Sequence, residues 1–529
     1  MEKYLLLFAT CLISSLFVTS WILLPNNVMA SEMWQQAYGG TNDDRAYSVI
    51  QNNDGGYTIG GFTMSFGAGL QDYYLVKTDG NGDMLWNKTY GGIGADTARS
   101  VIQTSDGGYA LAGDTTSFCN TSSVFLCYDF WLVKTDEYGN MLWNKTYGYR
   151  LSFENGTEYS GSMAKSVVQT SDEGYAIAGR TYGIGAGLSD FYLVKTDENG
   201  NMIWNQTYGG TENDNPVSMI QTSDGGFALA GYTESFGAGG HDYWLVKTDS
   251  DGNEEWNQTY GGSGYDKANS LVQTSDGGYV LAGSSTSVEN GAVWLVKTDA
   301  NGNMLWNKQP SPAYVQLSDT SSVVVTSDGG YALSGDFWVI KTDANGNILF
   351  YQSYEAETGW HSASHRLIQA SNGDYVLAGY RSPVEGGIAP DVLLVKTDHE
   401  IPIIWNVTRT PSSPIENSTY TNLIKAKVYD VNGLEDVTLS YMVDDGSWNN
   451  LTRNKSEGNV YSAEIEAYPK DTNVFWTIIA ENNIGKSFRI DNEFYMVIPE
   501  FLSWIILPLF SIATIVIVIY RDRLRREVC

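Results

Sequence analysis

A Leu-Val-Lys-Thr-Asp-like segment returns seven times, with its lysine at Lys77, Lys134, Lys195, Lys247, Lys297, Lys341 and Lys396, at spacings of 57, 61, 52, 50, 44 and 55 residues. Between successive copies stands an Asp-Gly-Gly-Tyr-like turn, opening at Asp54, Asp106, Asp172, Asp224, Asp276, Asp328 and Asn372. Each repeat reads as a short apolar strand, that turn, a strand like Ala110-Leu-Ala-Gly113, a Gly-rich loop, the lysine strand, an Asn-Gly turn and a strand carrying Trp. Four strands in such a period mark propeller blades, whereas solenoid coils run shorter. The array opens on the tail of a repeat, since Trp34-Gln-Gln-Ala-Tyr38-Gly39-Gly40 matches Trp86-Asn-Lys-Thr-Tyr90-Gly91-Gly92. The seventh repeat lacks a comparably clear tail after Asp398. The two fragments complete one blade, which hides edge groups that a free sheet would expose. The competing choice uses Ile403-Ile404-Trp405-Asn406 as the last outer strand and leaves Trp34 unpaired. The expectation is an all-β chain with a seven-bladed propeller over 31–398.

The 529 residues carry 61 acidic and 31 basic side chains, a net charge of −30. That balance excludes a general electrostatic grip on nucleic acid or anionic lipid, both of which need clustered Lys and Arg. Cations, neutral sugars and basic protein patches remain as partners. Residues 4–24 are almost wholly apolar behind Lys3, and Val28-Met29-Ala30 offers a signal-peptidase pattern, so 1–30 reads as a secretory signal, with an uncleaved anchor as the alternative. Phe501 to Tyr520 holds no charge and is followed by Arg521, Arg523, Arg525 and Arg526. This reads as a transmembrane helix over 499–520 with a cytoplasmic tail at 521–529, which places the upstream chain at the cell surface. Residues 399–498 alternate in short strands, such as Ile424–Val428 and Val474–Ile478, and are expected to form a sandwich serving as a spacer.

Three resemblances add to this reading. The repeats resemble the Gly-rich β-propeller repeats of bacterial and archaeal surface proteins, and Asp197-Glu-Asn-Gly200-Asn-Met-Ile-Trp204 is similar to the tryptophan-docking motif of quinoprotein propellers, though one residue shorter and without its Thr. Residues 399–498 resemble immunoglobulin-like or fibronectin-like modules of extracellular stalks. Pro499-Glu500-Phe501, with the following span and arginines, resembles PEF-type C-terminal sorting signals of archaeal surface proteins, which implies cleavage and re-anchoring. No cofactor ligands carry over from any of these.

Candidate sites follow from the residues. Cys119 and Cys127 bracket an insertion on the oxidising side and are expected to form a disulfide. Ten sequons, at Asn87, Asn120, Asn144, Asn155, Asn205, Asn257, Asn406, Asn417, Asn450 and Asn454, mark a glycosylated exterior, and four of them repeat one strand, so duplication alone explains those. Asp44, Asp96, Asp214 and Asp266, after Gly-Gly, are expected on a loop rim where propellers bind partners. A recurring Asp before the Trp or Tyr strand, at Asp72, Asp129, Asp190, Asp242, Asp336 and Asp391, reads as scaffold. The turns Asp79-Gly-Asn81-Gly-Asp83 and Asp249-Ser-Asp251-Gly-Asn253 resemble half of a calcium loop, although Asn-Gly is also the ordinary choice for a hairpin needing positive φ.

Enzymatic signals are sparse. His361 and His365 have metal-like spacing without a third ligand nearby, arginine is scarce in the repeats, and no nucleophile elbow or phosphate loop occurs. The sequence therefore points to a binding or envelope-structural surface module with an extracellular protein or glycan partner, and the alternative is a hydrolase or lyase acting on extracellular polysaccharide. If the acidic turns hold structural Ca²⁺, saturation at 100 times Kd adds about 2.7 kcal/mol of stability. Chelation by EDTA then lowers Tm, and an unchanged Tm removes the ion.

Overall fold

The computed structural model describes residues 33–118, 127–148, 151–152, 158–288, 292–310, 320–354, 360–383 and 389–397, then strands 403–410, 422–429, 434–443, 449–451, 454–456, 460–465, 473–482 and 487–496. All regular structure in these residues is β. No described helix is long and apolar enough to cross a membrane, and the expected signal and span at 1–30 and 499–520 lie outside the described residues.

The first repeat contains β1 (Trp34–Tyr38), β2 (Asp44–Gln51), β3 (Tyr57–Thr63), β4 (Asp72–Thr78) and β5 (Met84–Tyr90). Strands β2 to β5 form an antiparallel sheet in chain order, and the same four-strand order recurs within 96–147, 163–208, 214–260, 266–308 and 322–353. The seventh sheet takes three strands from 360–396 and its fourth from β1. There Trp34 lies opposite Lys396 and Tyr38 opposite Val392. Strand Ile403–Thr410 pairs instead with Asn422–Tyr429, which removes the rival closing strand. This is a β-propeller-like repeat fold. Two further four-stranded sheets are built from 403–496.

The strands behave as their composition dictates. Every residue of β3 and β4 is buried, because both faces of a middle strand are covered. Small side chains on the second strand, such as Ala110 and Ala112, admit the next sheet closely. Outer strand β5 alternates exposed and covered positions. Trp131 and Trp244 are about 1% exposed, and outer-strand Trp86, Trp143 and Trp204 pack against the cores, so the tryptophans are interior material.

Three contacts hold sheet to sheet or strand to strand. The Tyr38 hydroxyl donates to the Gly82 carbonyl at 2.6 Å, while the Trp34 ring covers the same turn so closely that a Cβ on Gly82 would lie 2.6 Å from it. Gly82 has φ of +82°, so the Asn-Gly turn needs glycine twice over. Tyr90, Tyr147, Tyr208 and Tyr260 repeat the bond onto Gly139, Gly200, Gly252 and Gly302. On the innermost strands, Gln103 accepts the Asn53 N–H at 3.2 Å, and Gln51 accepts the Ser371 N–H at 2.7 Å, which joins the first repeat to the last. Within each sheet the buried lysine reaches the turn acid, as in Lys77–Asp54 at 2.7 Å and Lys297–Asp276 at 2.9 Å. In the seventh sheet Asn372 leaves this role to Asp374, 3.1 Å from Lys396.

Tyr38→Phe deletes one buried hydrogen bond between β1 and the turn of the first sheet and leaves the Gly82 carbonyl unpaired. Such a loss costs about 1 kcal/mol, measurable as a lower urea midpoint at unchanged slope.

Candidate binding channel

The innermost strands carry a β-bulge at the same level. Pairing skips one residue between Ala46 and Ser48, Ala98 and Ser100, Ala164 and Ser166, Pro216 and Ser218, Ala268 and Ser270, and Ser364 and Arg366. A bulge leaves its extra residue unpaired and re-aims it. The residues so released are Tyr47, Arg99, Lys165, Val217, Asn269 and His365, and with Ser321 they line one cavity of about 620 Å³. The flanking residues stay nearly constant from repeat to repeat while the released residue differs in every one. The following serines bind the wall together. Ser48, Ser100, Ser218 and Ser270 accept the backbone N–H of Val101, Val167, Leu271 and Val323 at 3.1–3.3 Å. In the seventh repeat Arg366 stands in place of serine and lines the cavity.

Charge and aromatic surface concentrate on one side of this cavity. The Arg99 guanidinium lies 4.4 Å above the Tyr47 ring and 3.4 Å from Asp114. Tyr47 and His365 have ring centroids 4.8 Å apart, and Tyr380 lies 5.7 Å from His365 with Arg45 stacked on it at 4.4 Å. Burial, then Arg99 and Arg45, lower His365 to about 4, so it is neutral at neutral pH. Burial, with Arg99 next, lowers Lys165 to about 8, against the pull of Asp114. Arg366 is exposed to solvent in the cavity, and the protein gathered around it lowers its pKa. The opposing carboxylate is Asp336, raised by burial, which sits in a tight turn with φ of +27°. Asp336 therefore differs from Asp72, Asp129, Asp190 and Asp242, which are buried strand residues, and from Asp391, a partly buried one. Beyond the bulge level, Ile50, Ile102, Val168 and Ile220 give the cavity an apolar layer.

The other anticipated sites fall elsewhere. Asp44, Asp96, Asp214 and Asp266 are 0% exposed, which corrects their expected place on a rim surface. Each accepts the N–H of a Gly-Gly loop, at 2.8–2.9 Å from Gly40, Gly92, Gly210 and Gly262, and a serine hydroxyl at 2.6–2.8 Å. These carboxylates are spent on shaping loops. A Cβ on Gly91 would fall 1.8 Å from Asp72 Oδ1 and 2.8 Å from Asp96 Oδ2, so the loop glycine separates a buried carboxylate pair. Asp79 Oδ1 accepts the N–H groups of Asn81 and Asp83 at 2.8 and 2.9 Å, and Asp249 Oδ1 those of Asp251 and Asn253. The turns are thus organised by their own aspartates, and no group of three or more metal-ligating side chains occurs among the described residues. Cys127 is disulfide-bonded, and Cys119 lies outside the described residues. Asn87, Asn144, Asn205, Asn257 and Asn450 are exposed. Asn120, Asn155 and Asn417 lie outside the described residues, and Asn406 and Asn454 sit in strands Ile403–Thr410 and Asn454–Ser456. The His361 backbone pairs with Ser382 on the strand that carries His365.

No family model matches the chain. The regulatory protein FlaEY of Caulobacter vibrioides is 29% identical over 144 residues, which are 24% of this chain and 15% of that protein. Among solved structures, Sqt1 from Chaetomium thermophilum is 10% identical with a TM-score of 0.38, covering 69% of this chain and 99% of its own. A eukaryotic initiation factor is 8% identical with a TM-score of 0.31, covering 68% of this chain and 92% of its own.

Two sets of acids pull stability in opposite directions with pH. Burial, opposed by the Ala68 N–H and reinforced by Asp96, pushes Asp72 up to about 6. Against burial, hydrogen bonds from Thr222 and Lys247 bring Asp224 down to about 2. The Asp224 contribution is complete above its ordinary 3.8 and is lost as pH falls toward 2. The Asp72 carboxyl favours the fold while protonated, so its ionisation weakens the fold as pH rises from 3.8 to about 6. Asp72→Asn is therefore expected to gain stability over the parent at pH 8 and to lose that advantage at pH 4, read from urea midpoints.

Proposed function

We propose that the chain is a membrane-anchored surface protein whose seven sheets are the blades of one closed propeller, carried on an immunoglobulin-like stalk, and that it works as a binding module through the axial cavity. The observation that carries this reading is the bulge level. The recurring Trp, Tyr, Lys and Asp positions serve packing or hydrogen bonding, whereas Tyr47, Arg99, Lys165, Val217, Asn269, Ser321 and His365 differ from one another and share one cavity. A wall that served only to hold the ring would repeat there as well. A rigid scaffold that presents a few unlike side chains into a concavity is the usual design of a ligand site.

The cell-surface placement rests on the apolar ends of the sequence and the arginine-rich terminus. Exposed Asn87, Asn144, Asn205 and Asn257 on outer strands suit glycans that would shield edge backbone. A structural role in the envelope is compatible with the same scaffold. The reading as a polysaccharide hydrolase or lyase finds less support, because the buried carboxylate pair Asp72 and Asp96 is sealed at 2% and 0% exposure and offers substrate no access.

The full chain, kept in non-ionic detergent, is to be screened against glycan and surface-protein arrays beside a polysaccharide-degradation assay. Saturable binding without turnover is expected. Degradation that a single carboxylate substitution abolishes would replace this reading with the enzymatic one.

A further inference from the structure

Positive charge is scarce in this protein, with 31 basic against 61 acidic side chains, and the lysine that recurs in every repeat is committed. The repeat lysines Lys77, Lys134, Lys195, Lys247, Lys297, Lys341 and Lys396 each lie 2.7–3.1 Å from a carboxylate. Arg45 is held by Asp43 at 2.8 Å and Arg99 by Asp114 at 3.4 Å. Lys88, Lys145, Lys267 and Arg180 meet neutral partners instead, and Lys165 and Arg366 stand apart from these by their position. Both line the axial cavity, and neither has an ion-pair partner among the described residues.

Their position sharpens the contrast. The sheets contributing Arg366 and His365, Tyr47, Arg99 and Lys165 are the seventh, first, second and third, so the cationic and aromatic groups form one continuous side of the lumen. Val217, Asn269, Ser321 and Asp336, from the fourth to sixth sheets, form the other. The lining therefore sets three cations against one carboxylate inside a chain of net charge −30. Arg99 has Asp114 beside it at 3.4 Å, whereas Lys165 and Arg366 have no such partner among the described residues, and gathering like charges in one concavity is unfavourable unless a ligand completes them.

We infer that the axial cavity binds a small organic anion, its charged group held by Lys165 and Arg366 beside Arg99, and its apolar body lying against Tyr47 and the Ile50, Ile102, Val168 and Ile220 layer. This rests on the reading of the cavity as a binding site and names the class of ligand it takes. A guanidinium forks onto carboxylate or sulfate oxygens and an ammonium adds a point charge. Burial first, and the neighbouring arginines second, disfavour the proton on Lys165 and His365, with Asp114 opposing this at Lys165. The 620 Å³ volume suits a ligand of drug-like size.

The repeats themselves supply variants that should fold. Arg366→Ser installs the residue found at Ser48, Ser100, Ser166, Ser218, Ser270 and Ser322, and Lys165→Asn installs that of Asn269. The full chain in non-ionic detergent is titrated calorimetrically with benzoate, with inorganic sulfate as charge without a body, and with benzyl alcohol as body without charge. Benzoate is expected to bind most tightly, and each variant to lose tenfold or more of that affinity while keeping the parent Tm. Benzyl alcohol binding as tightly as benzoate, or benzoate affinity unchanged in both variants that retain the parent Tm, would overturn the anionic class and leave the cavity a binding site. Failure of benzoate and sulfate alike to bind would also overturn it. The broader reading falls only if benzyl alcohol and the array screen are negative as well.

Discussion

The pairing of β1 with the strand Asp391–Lys396 is the constraint on which the rest depends. Antiparallel sheets that pack face to face in a row leave two free ends, and each end would present open backbone and an uncovered apolar face. Lending β1, from the beginning of the chain, to the last sheet ties residues separated by some 350 positions, with Trp34 opposite Lys396. The Ser371 N–H to Gln51 bond and the Asp44 N–H to Pro390 carbonyl bond, each 2.7–2.8 Å, fasten the same seam from the inside. In the closed propeller we propose, joining the first and last sheets turns the innermost strands toward a common axis, and a bulge repeated at one level becomes a ring of side chains around a cavity.

The hierarchy of contacts also explains the tolerance of the repeat. The Lys–Asp pair anchors a turn within its own sheet, while the outer strands ending at Tyr38, Tyr90, Tyr147, Tyr208 and Tyr260 dock their Trp and Tyr on the glycine turn of the following sheet. Neither device reaches the axis. The bulge residue is therefore spared both of these duties and is tyrosine, arginine, lysine, valine, asparagine or histidine in successive sheets, although Asn269 still donates to the Thr320 carbonyl of the next sheet at 2.8 Å. In the seventh repeat the liberty extends one residue further, and the serine that elsewhere hydrogen-bonds the neighbouring sheet's backbone gives way to Arg366.

Much of the scaffold was legible because it is periodic. The two middle strands, the interior tryptophans and the completion of the last sheet by Trp34–Tyr38 all follow from residues that recur. The Asn-Gly turn was read as a hairpin needing positive φ, but its second purpose, a seat for Trp34 and Tyr38, depends on the neighbouring sheet and is invisible within one repeat. Asp44 and its equivalents misled because an acid after Gly-Gly looks like a surface loop, whereas the loop N–H groups turn inward and require a buried acceptor. The cavity escaped for the opposite reason. Its residues share no type, and an overall excess of acid hides three cations, Arg99, Lys165 and Arg366, drawn to one cavity. The detectable signal was a variable residue between constant ones, as in Ala98-Arg99-Ser100 against Ala268-Asn269-Ser270.

Closure of the sheets into a ring is tested most directly by a cross-strand disulfide. Gln36 and Leu394 are direct antiparallel partners, and such pairs lie about 4.5–5.5 Å apart at Cα, within disulfide range. Oxidation of the Gln36→Cys, Leu394→Cys double variant should give an intrachain 36–394 linked peptide by mass spectrometry in the folded protein. A 36–394 link found only between chains, or none at all in a chain that retains its native unfolding transition, would contradict the closed ring and the cavity built upon it.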